Sequence, residues 1–165
     1  MPKVSRVRPI LGDIVEINTP KGFAYAQYTH KHTKPPRFGE LIRVLPGLFE
    51  EEPEDFSQIV RERERFFVFF PLSAACNRRI VSIIANEKIP PIASDFPLLR
   101  QAGFVDRDGK VHDWWIFDGK RERRPRRSDP QIASLSPCEI WNDTLLIERI
   151  AEGWSIENDY LRITL

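Results

Sequence analysis

Residues 13–28 constrain the fold more than any other stretch of this chain. Asp13-Ile14-Val15-Glu16-Ile17 and Phe23-Ala24-Tyr25-Ala26-Gln27-Tyr28 are β-favouring runs on either side of Asn18-Thr19-Pro20-Lys21-Gly22. A turn with Pro and Gly between two such runs predicts an antiparallel hairpin. Phe23, Tyr25 and Gln27 alternate with Ala24, Ala26 and Tyr28, so the second strand presents two distinct faces. A proline-containing loop, His30 to Gly39, then leads to a third strand over Glu40–Leu45, ended by Pro46-Gly47.

Downstream, the five-residue run Phe66-Phe67-Val68-Phe69-Phe70 has the aromatic density of a central strand buried on both faces, and Pro71 ends its pairing. Leu72–Asn77 is read as a helical turn or a bend, and Arg79–Ala85 as the next strand. Pro90, Pro91 and Pro97 exclude a long helix over Ile89–Leu99, leaving room for a turn or two over Asp95–Gln101. Phe104 to Val111 has apolar flanks around an Asp108-Gly109 turn, and Trp114-Trp115-Ile116-Phe117 completes the strands. Five or six successive strands predict a mainly β, α+β fold. Its sheet is bent, or forms a small partly open barrel, because open edges invite pairing between molecules.

Beyond Gly119 the chain changes character. Lys120–Arg127 is basic, Ser128–Pro137 loop-like, and Asp143–Trp154 an amphipathic helix with Leu146, Ile147, Ile150 and Trp154 at helical spacing, Asp143 as its cap and Gly153 near its end. Tyr160–Leu165 reads as a short edge strand or a frayed tail. The expected organisation is a β-rich unit over residues 1–127 with a helical extension over 128–165 packed on it. No apolar stretch follows Lys3, Arg6 and Arg8, and Phe66–Cys76 is interrupted by Pro71 and Ser73. Signal peptide and membrane span are therefore not expected, and a cytoplasmic location is.

Lys and Arg number 25 and Asp and Glu 24, a formal net charge of +1, which excludes a uniformly charged partner surface. The cancellation hides two opposed blocks. Glu50, Glu51, Glu52, Glu54 and Asp55 put five carboxylates into six positions, whereas Lys120–Arg127 holds one Lys and five Arg against Glu122. The acidic block suits a basic protein partner. The basic block, with Trp114, Arg123, Arg124, Arg126 and Arg127, has the mixture of cations and aromatic rings that binds nucleic-acid backbones and stacks bases. Its alternative reading is a solvated linker or an internal partner for the acidic block.

Other candidate chemistry is weaker. His30 and His32 fall on one face of a strand, as metal ligands do, but no third ligand accompanies them. Asp106-Arg107-Asp108-Gly109 lacks the oxygen ligands of a calcium loop, since Lys110 and Phe117 occupy the later positions, and reads as a hairpin turn. Ser73, Cys76 and Cys138 lie in no nucleophile motif, and His112 is the one histidine outside the His30–His32 pair. Cys76 and Cys138 form no CxxC pair and read as buried thiols. Neither an enzyme nor a bound metal or cofactor is expected.

Gly12-Asp13-Ile14-Val15-Glu16-Ile17 followed by Phe23-Ala24-Tyr25-Ala26-Gln27 resembles the opening of the immunity protein 26 family of bacterial polymorphic toxin systems. The strands at Phe66–Phe70 and Arg79–Ala85 and the segment Trp114–Gly119 follow in the family's order, over roughly residues 8–120, with Ala26 where the family's strand carries Gly. The resemblance implies a mostly β domain that neutralises a cognate protein toxin by binding it; a monomer or homodimer is expected. It transfers no catalytic residue.

Overall fold

The computed structural model describes residues 3 and 5–164. Its frame is a five-stranded antiparallel sheet of β1 (Asp13–Thr19), β2 (Gly22–His32), β3 (Gly39–Val44), β4 (Phe66–Phe69) and β5 (Val81–Asn86), in the spatial order β4-β3-β2-β1-β5. The predicted hairpin is β1 and β2, in register from Ile14 opposite Gln27 to Thr19 opposite Gly22. The short helix α1 (Leu72–Asn77) links β4 to β5. A second sheet of β6 (Leu99–Ala102), β7 (Trp114–Phe117), β8 (Glu122–Arg123) and β9 (Ser136–Pro137) runs β8-β7-β6-β9, with β9 parallel to β6. Two helices end the chain, α2 (Asp143–Glu152) and α3 (Ile156–Ile163).

The mainly β, α+β class holds, but the strands split into two sheets and neither closes into a barrel. The outer edge of β4 is covered instead by the segment entering α2. Phe67 N–H donates to Ser136 Oγ at 2.9 Å, Phe69 N–H to the Glu139 carbonyl at 3.1 Å, and Trp141 N–H to the Phe69 carbonyl at 3.0 Å. Covering an edge in this way removes the need to close the sheet.

Several local expectations are corrected. The loop after β2 begins later than His30, because a bulge between Tyr28 and His30 keeps the strand paired with β3 as far as His32. The stretch Asp95–Gln101 contains no helical turn; it runs into β6, which finds partners on both sides in β7 and β9. Tyr160–Ile163 is helical because Ser155 Oγ accepts from Asn158 N–H and starts α3; Leu165 lies outside the described residues. Asn142, not Asp143, caps α2, accepting from Leu145 N–H at 2.8 Å. Gly153 ends that helix in the left-handed conformation at φ 73°.

Both faces of the first sheet are buried. Val15, Ile17, Ala24, Ala26, Tyr28, Phe66 and Val68 point to the helices, where Trp141, Leu146, Ile150 and Ile156 meet them. On the opposite face Leu41, Phe67 and Phe69 pack on Leu99 and Phe117 of the second sheet. Ile14, Tyr25 and Leu45 lie under Phe56 and Val60 on that same side. The alternation read in β2 is thus the division between the two cores, and the all-aliphatic-and-aromatic run of β4 serves both.

Candidate functional site

The acidic block is an exposed bridge over a rigid base. Phe49 anchors its start: Phe23 and Phe49 exchange backbone hydrogen bonds of 2.7 and 2.9 Å, and the Phe49 ring meets Tyr25 edge-on at 5.5 Å. Phe56 anchors its end, packing against Tyr25 at 4.9 Å. Between these anchors Glu50, Glu51, Glu52, Glu54 and Asp55 are exposed. None of the five forms an ion pair among the described residues. Asp55 accepts from Ser57 N–H at 2.9 Å and Ser57 O–H at 2.7 Å, bonds that hold its carboxyl below the usual range.

A sixth carboxylate joins this surface. Glu16 accepts from the Tyr25 hydroxyl at 3.0 Å, and desolvation together with the Glu16 charge raises the pKa of Glu52. Burial first, and the bond to Glu16 second, push the Tyr25 phenol well above its ordinary value. Sequence alternation marks Glu16 as nothing more than the polar position of a strand; its place beside Glu52 depends on how residues 50–55 fold back across β1.

Behind the block the loop is fixed by a buried arginine. Arg43 of β3 is inaccessible to solvent; its Nε donates to Gln27 Oε1 at 3.1 Å, and its guanidinium also bonds the Val60 carbonyl and lies 3.9 Å from Glu64. Gln27 passes its amide N–H to the Glu87 carbonyl at 2.9 Å. One arginine therefore ties β3 to the loop that closes over Tyr25. The acidic surface is preorganised in consequence, which reduces the ordering cost of binding.

The basic block is different, because two of its six cations are held in ion pairs. Arg123 grips Asp129 with two hydrogen bonds of 2.7 and 2.8 Å and lies 3.9 Å from Asp118. Arg124 pairs with Asp113 at 2.8 Å and lies over the Trp115 ring at 3.9 Å. Neither touches the acidic block, so the internal partners of the basic segment are these three aspartates. Trp114 is half-buried: its ring covers the Arg100 guanidinium at 5.5 Å and its Nε1–H donates to Thr164 Oγ1 at 3.2 Å. Arg126 and Arg127 are exposed and form no ion pair among the described residues. The residues expected to form one nucleic-acid contact are thus dispersed, with three of the five engaged internally.

His30 and His32 do face the same side, as their spacing predicts, but toward phenylalanines. His32 is buried with ring centroids of Phe38 and Phe117 at 5.3 Å, and Phe38 N–H donates to its Nδ1. His30 Nε2 lies 3.0 Å from the Ser94 carbonyl, and burial lowers its pKa. Among the described residues no group of three His, Cys, Asp or Glu side chains is placed to hold a metal ion. Asp106 organises the predicted hairpin turn, accepting from Asp108 and Lys110 N–H at 2.9 Å and contacting His112 Nε2 at 2.8 Å. Burial pushes the Cys76 thiol up to about 11 and the Cys138 thiol up to about 12, which disfavours the thiolate needed for nucleophilic chemistry. No helix among the described residues is long and apolar enough to cross a membrane. No family model, curated protein or solved structure matches the chain.

Proposed function

We propose that this chain is an immunity-type binding protein that neutralises a cognate bacterial toxin in the cytoplasm by stoichiometric contact, using the acidic surface of Glu50, Glu51, Glu52, Glu54 and Asp55. The observation that supports it is the contrast between the two charged blocks: the acidic one is exposed, unpaired and anchored at both ends, whereas Arg123 and Arg124 of the basic one are bound to aspartates. An unpaired patch of one sign on a rigid base steers an oppositely charged protein to a defined docking position. A basic toxin is the partner this selects.

The test is coexpression with the toxic domain encoded beside this gene. The expected result is rescue of growth and a one-to-one complex. Replacing the five carboxylates together by Asn and Gln should slow association and flatten its dependence on salt while leaving Tm unchanged. Absence of rescue by the unaltered chain overturns the class; unchanged association by the replaced chain overturns the surface.

A further inference from the structure

The helix α2 buries Leu146 and Ile150 against the first sheet, while Ile147 and Ala151 remain only half-buried on its flank. These two side chains and Pro20 of the β1–β2 turn line a groove of about 510 Å³. Its charged lining is unbalanced: Asp143, Glu148 and Glu152 face a single cation, Lys21. Glu148 and Glu152 stand one helical turn apart, where like charges repel and weaken the helix. None of the three carboxylates forms an ion pair among the described residues. Arg149, between them in sequence, turns away to cover Trp141 at 4.4 Å.

The groove does not end at the turn. Ala151 also lines a second depression, of about 260 Å³, with Gly47 and Leu48. Leu48 is exposed, and the acidic block starts two residues later at Glu50, after Phe49 has crossed to the other face of the sheet and packed on Tyr25. An apolar floor therefore continues along α2 toward the start of the acidic block. The carboxylates wall the first depression, and the second is bordered by one cation, Arg65, and by no carboxylate.

We infer that this groove receives a basic amphipathic segment of the protein partner, with aliphatic side chains on Pro20, Ile147 and Ala151 and Lys or Arg side chains across Asp143, Glu148 and Glu152. Helical segments dock into apolar grooves through side chains spaced three and four residues apart. Charge decides the sign of the occupant: a cation laid between Glu148 and Glu152 relieves their repulsion, and an anionic segment or lipid surface adds to it. The inference rests on the proposed function and deepens it. The acidic block steers the partner, and the groove supplies the apolar anchors that slow its release.

The probe is an amphipathic peptide of leucine and lysine, compared with its leucine–glutamate counterpart on the full chain by amide chemical-shift mapping and titration. The leucine–lysine peptide should shift residues 19–22, 47–48 and 143–152 and bind at least tenfold more tightly than the counterpart. Ala151→Arg, and separately the exposed pair Glu148→Lys with Glu152→Lys, should each weaken it at least tenfold with the far-ultraviolet spectrum unchanged. Shifts confined to residues 50–55 overturn the groove while leaving the acidic surface standing. A chain that sediments as a dimer, and becomes monomeric with Ala151→Arg, also overturns it, because a second copy then covers the groove. Groove binding that persists when the five-carboxylate variant still associates with the toxin at the normal rate upholds the groove and removes the earlier surface.

Discussion

Arg100 of β6 and Asp159 of α3 form a buried ion pair, with Nη2 to Oδ2 at 3.0 Å. The guanidinium also donates to the Ile156 carbonyl at 2.8 Å and lies over the neighbouring rings of Trp114, at 5.5 Å, and Tyr160, at 5.7 Å. Burial lowers the pKa of this arginine and Asp159 opposes that effect. A single cation thereby fastens the second sheet to the last helix and holds one side of the half-buried Trp114 ring.

Breaking this pair from one side strands a charge. Asp159→Ala leaves Arg100 buried with its carboxylate gone, and the expected loss is about 3–5 kcal/mol of unfolding free energy. Replacing both partners, Arg100→Met with Asp159→Leu, should recover much of that loss, since no charge then stays desolvated. Denaturant midpoints of the two variants check this: equal losses would show that the pair contributes nothing beyond packing.

How far the sequence discloses this arrangement varies with the range of the interactions. The hairpin of β1 and β2 is legible because its turn and its alternation are local, and β4 because its apolar positions point both ways. β6 is not, since Leu99–Ala102 lies beside prolines and becomes a strand through β7 and the two-residue β9, whose residues are distant in the chain. The same limit applies to the charged blocks. Exposure of Glu50–Asp55 follows from its density of like charge, but the engagement of Arg123 and Arg124 depends on Asp113, Asp118 and Asp129 brought in by folding.

Gly22 and Gly109 separate two consequences of adding a side chain. Both have positive φ, 128° and 77°, but a Cβ on Gly22 would stand 2.8 Å from the Phe49 carbonyl oxygen, while nothing lies within 4 Å of one on Gly109. Gly109→Ala should therefore cost only the backbone strain, about 1 kcal/mol. Gly22→Ala should cost more, about 2–3 kcal/mol, because Phe49 must also retreat and loosen the anchor of the acidic block. The check is thermal unfolding of both variants with the Tyr25 near-ultraviolet signal as a local reporter; similar losses and an unchanged signal in both would refute the role given to Phe49.

His30 makes stability fall as pH drops below neutral. Its folded pKa is lowered by burial from an ordinary value of 6.5, so the unfolded chain binds the proton more tightly. The stabilisation is complete above 6.5 and declines as pH falls from there toward the folded value. His30→Gln, which keeps a hydrogen-bonding group near the Ser94 carbonyl, should be less stable overall but flatter between pH 7 and 5. Denaturant titrations across that interval decide the matter, and parallel curves would exclude His30 as the source.

Asp129 acts at lower pH and with the ordinary carboxylate sign. The two bonds from Arg123 and the Arg126 N–H at 2.6 Å hold its carboxyl far below the usual 3.8. The contribution is therefore complete above that value and disappears as pH falls through the depressed folded one. Asp129→Asn should lower Tm at pH 7, and the gap to the unaltered chain should narrow as pH is taken below 3.8. Arg123→Ala should behave in the same way, whereas Arg127→Ala, which removes an exposed and unpaired cation, should leave Tm unchanged at every pH. This contrast tests the division of the basic block directly, because a segment of equally free arginines would give the three variants the same profile.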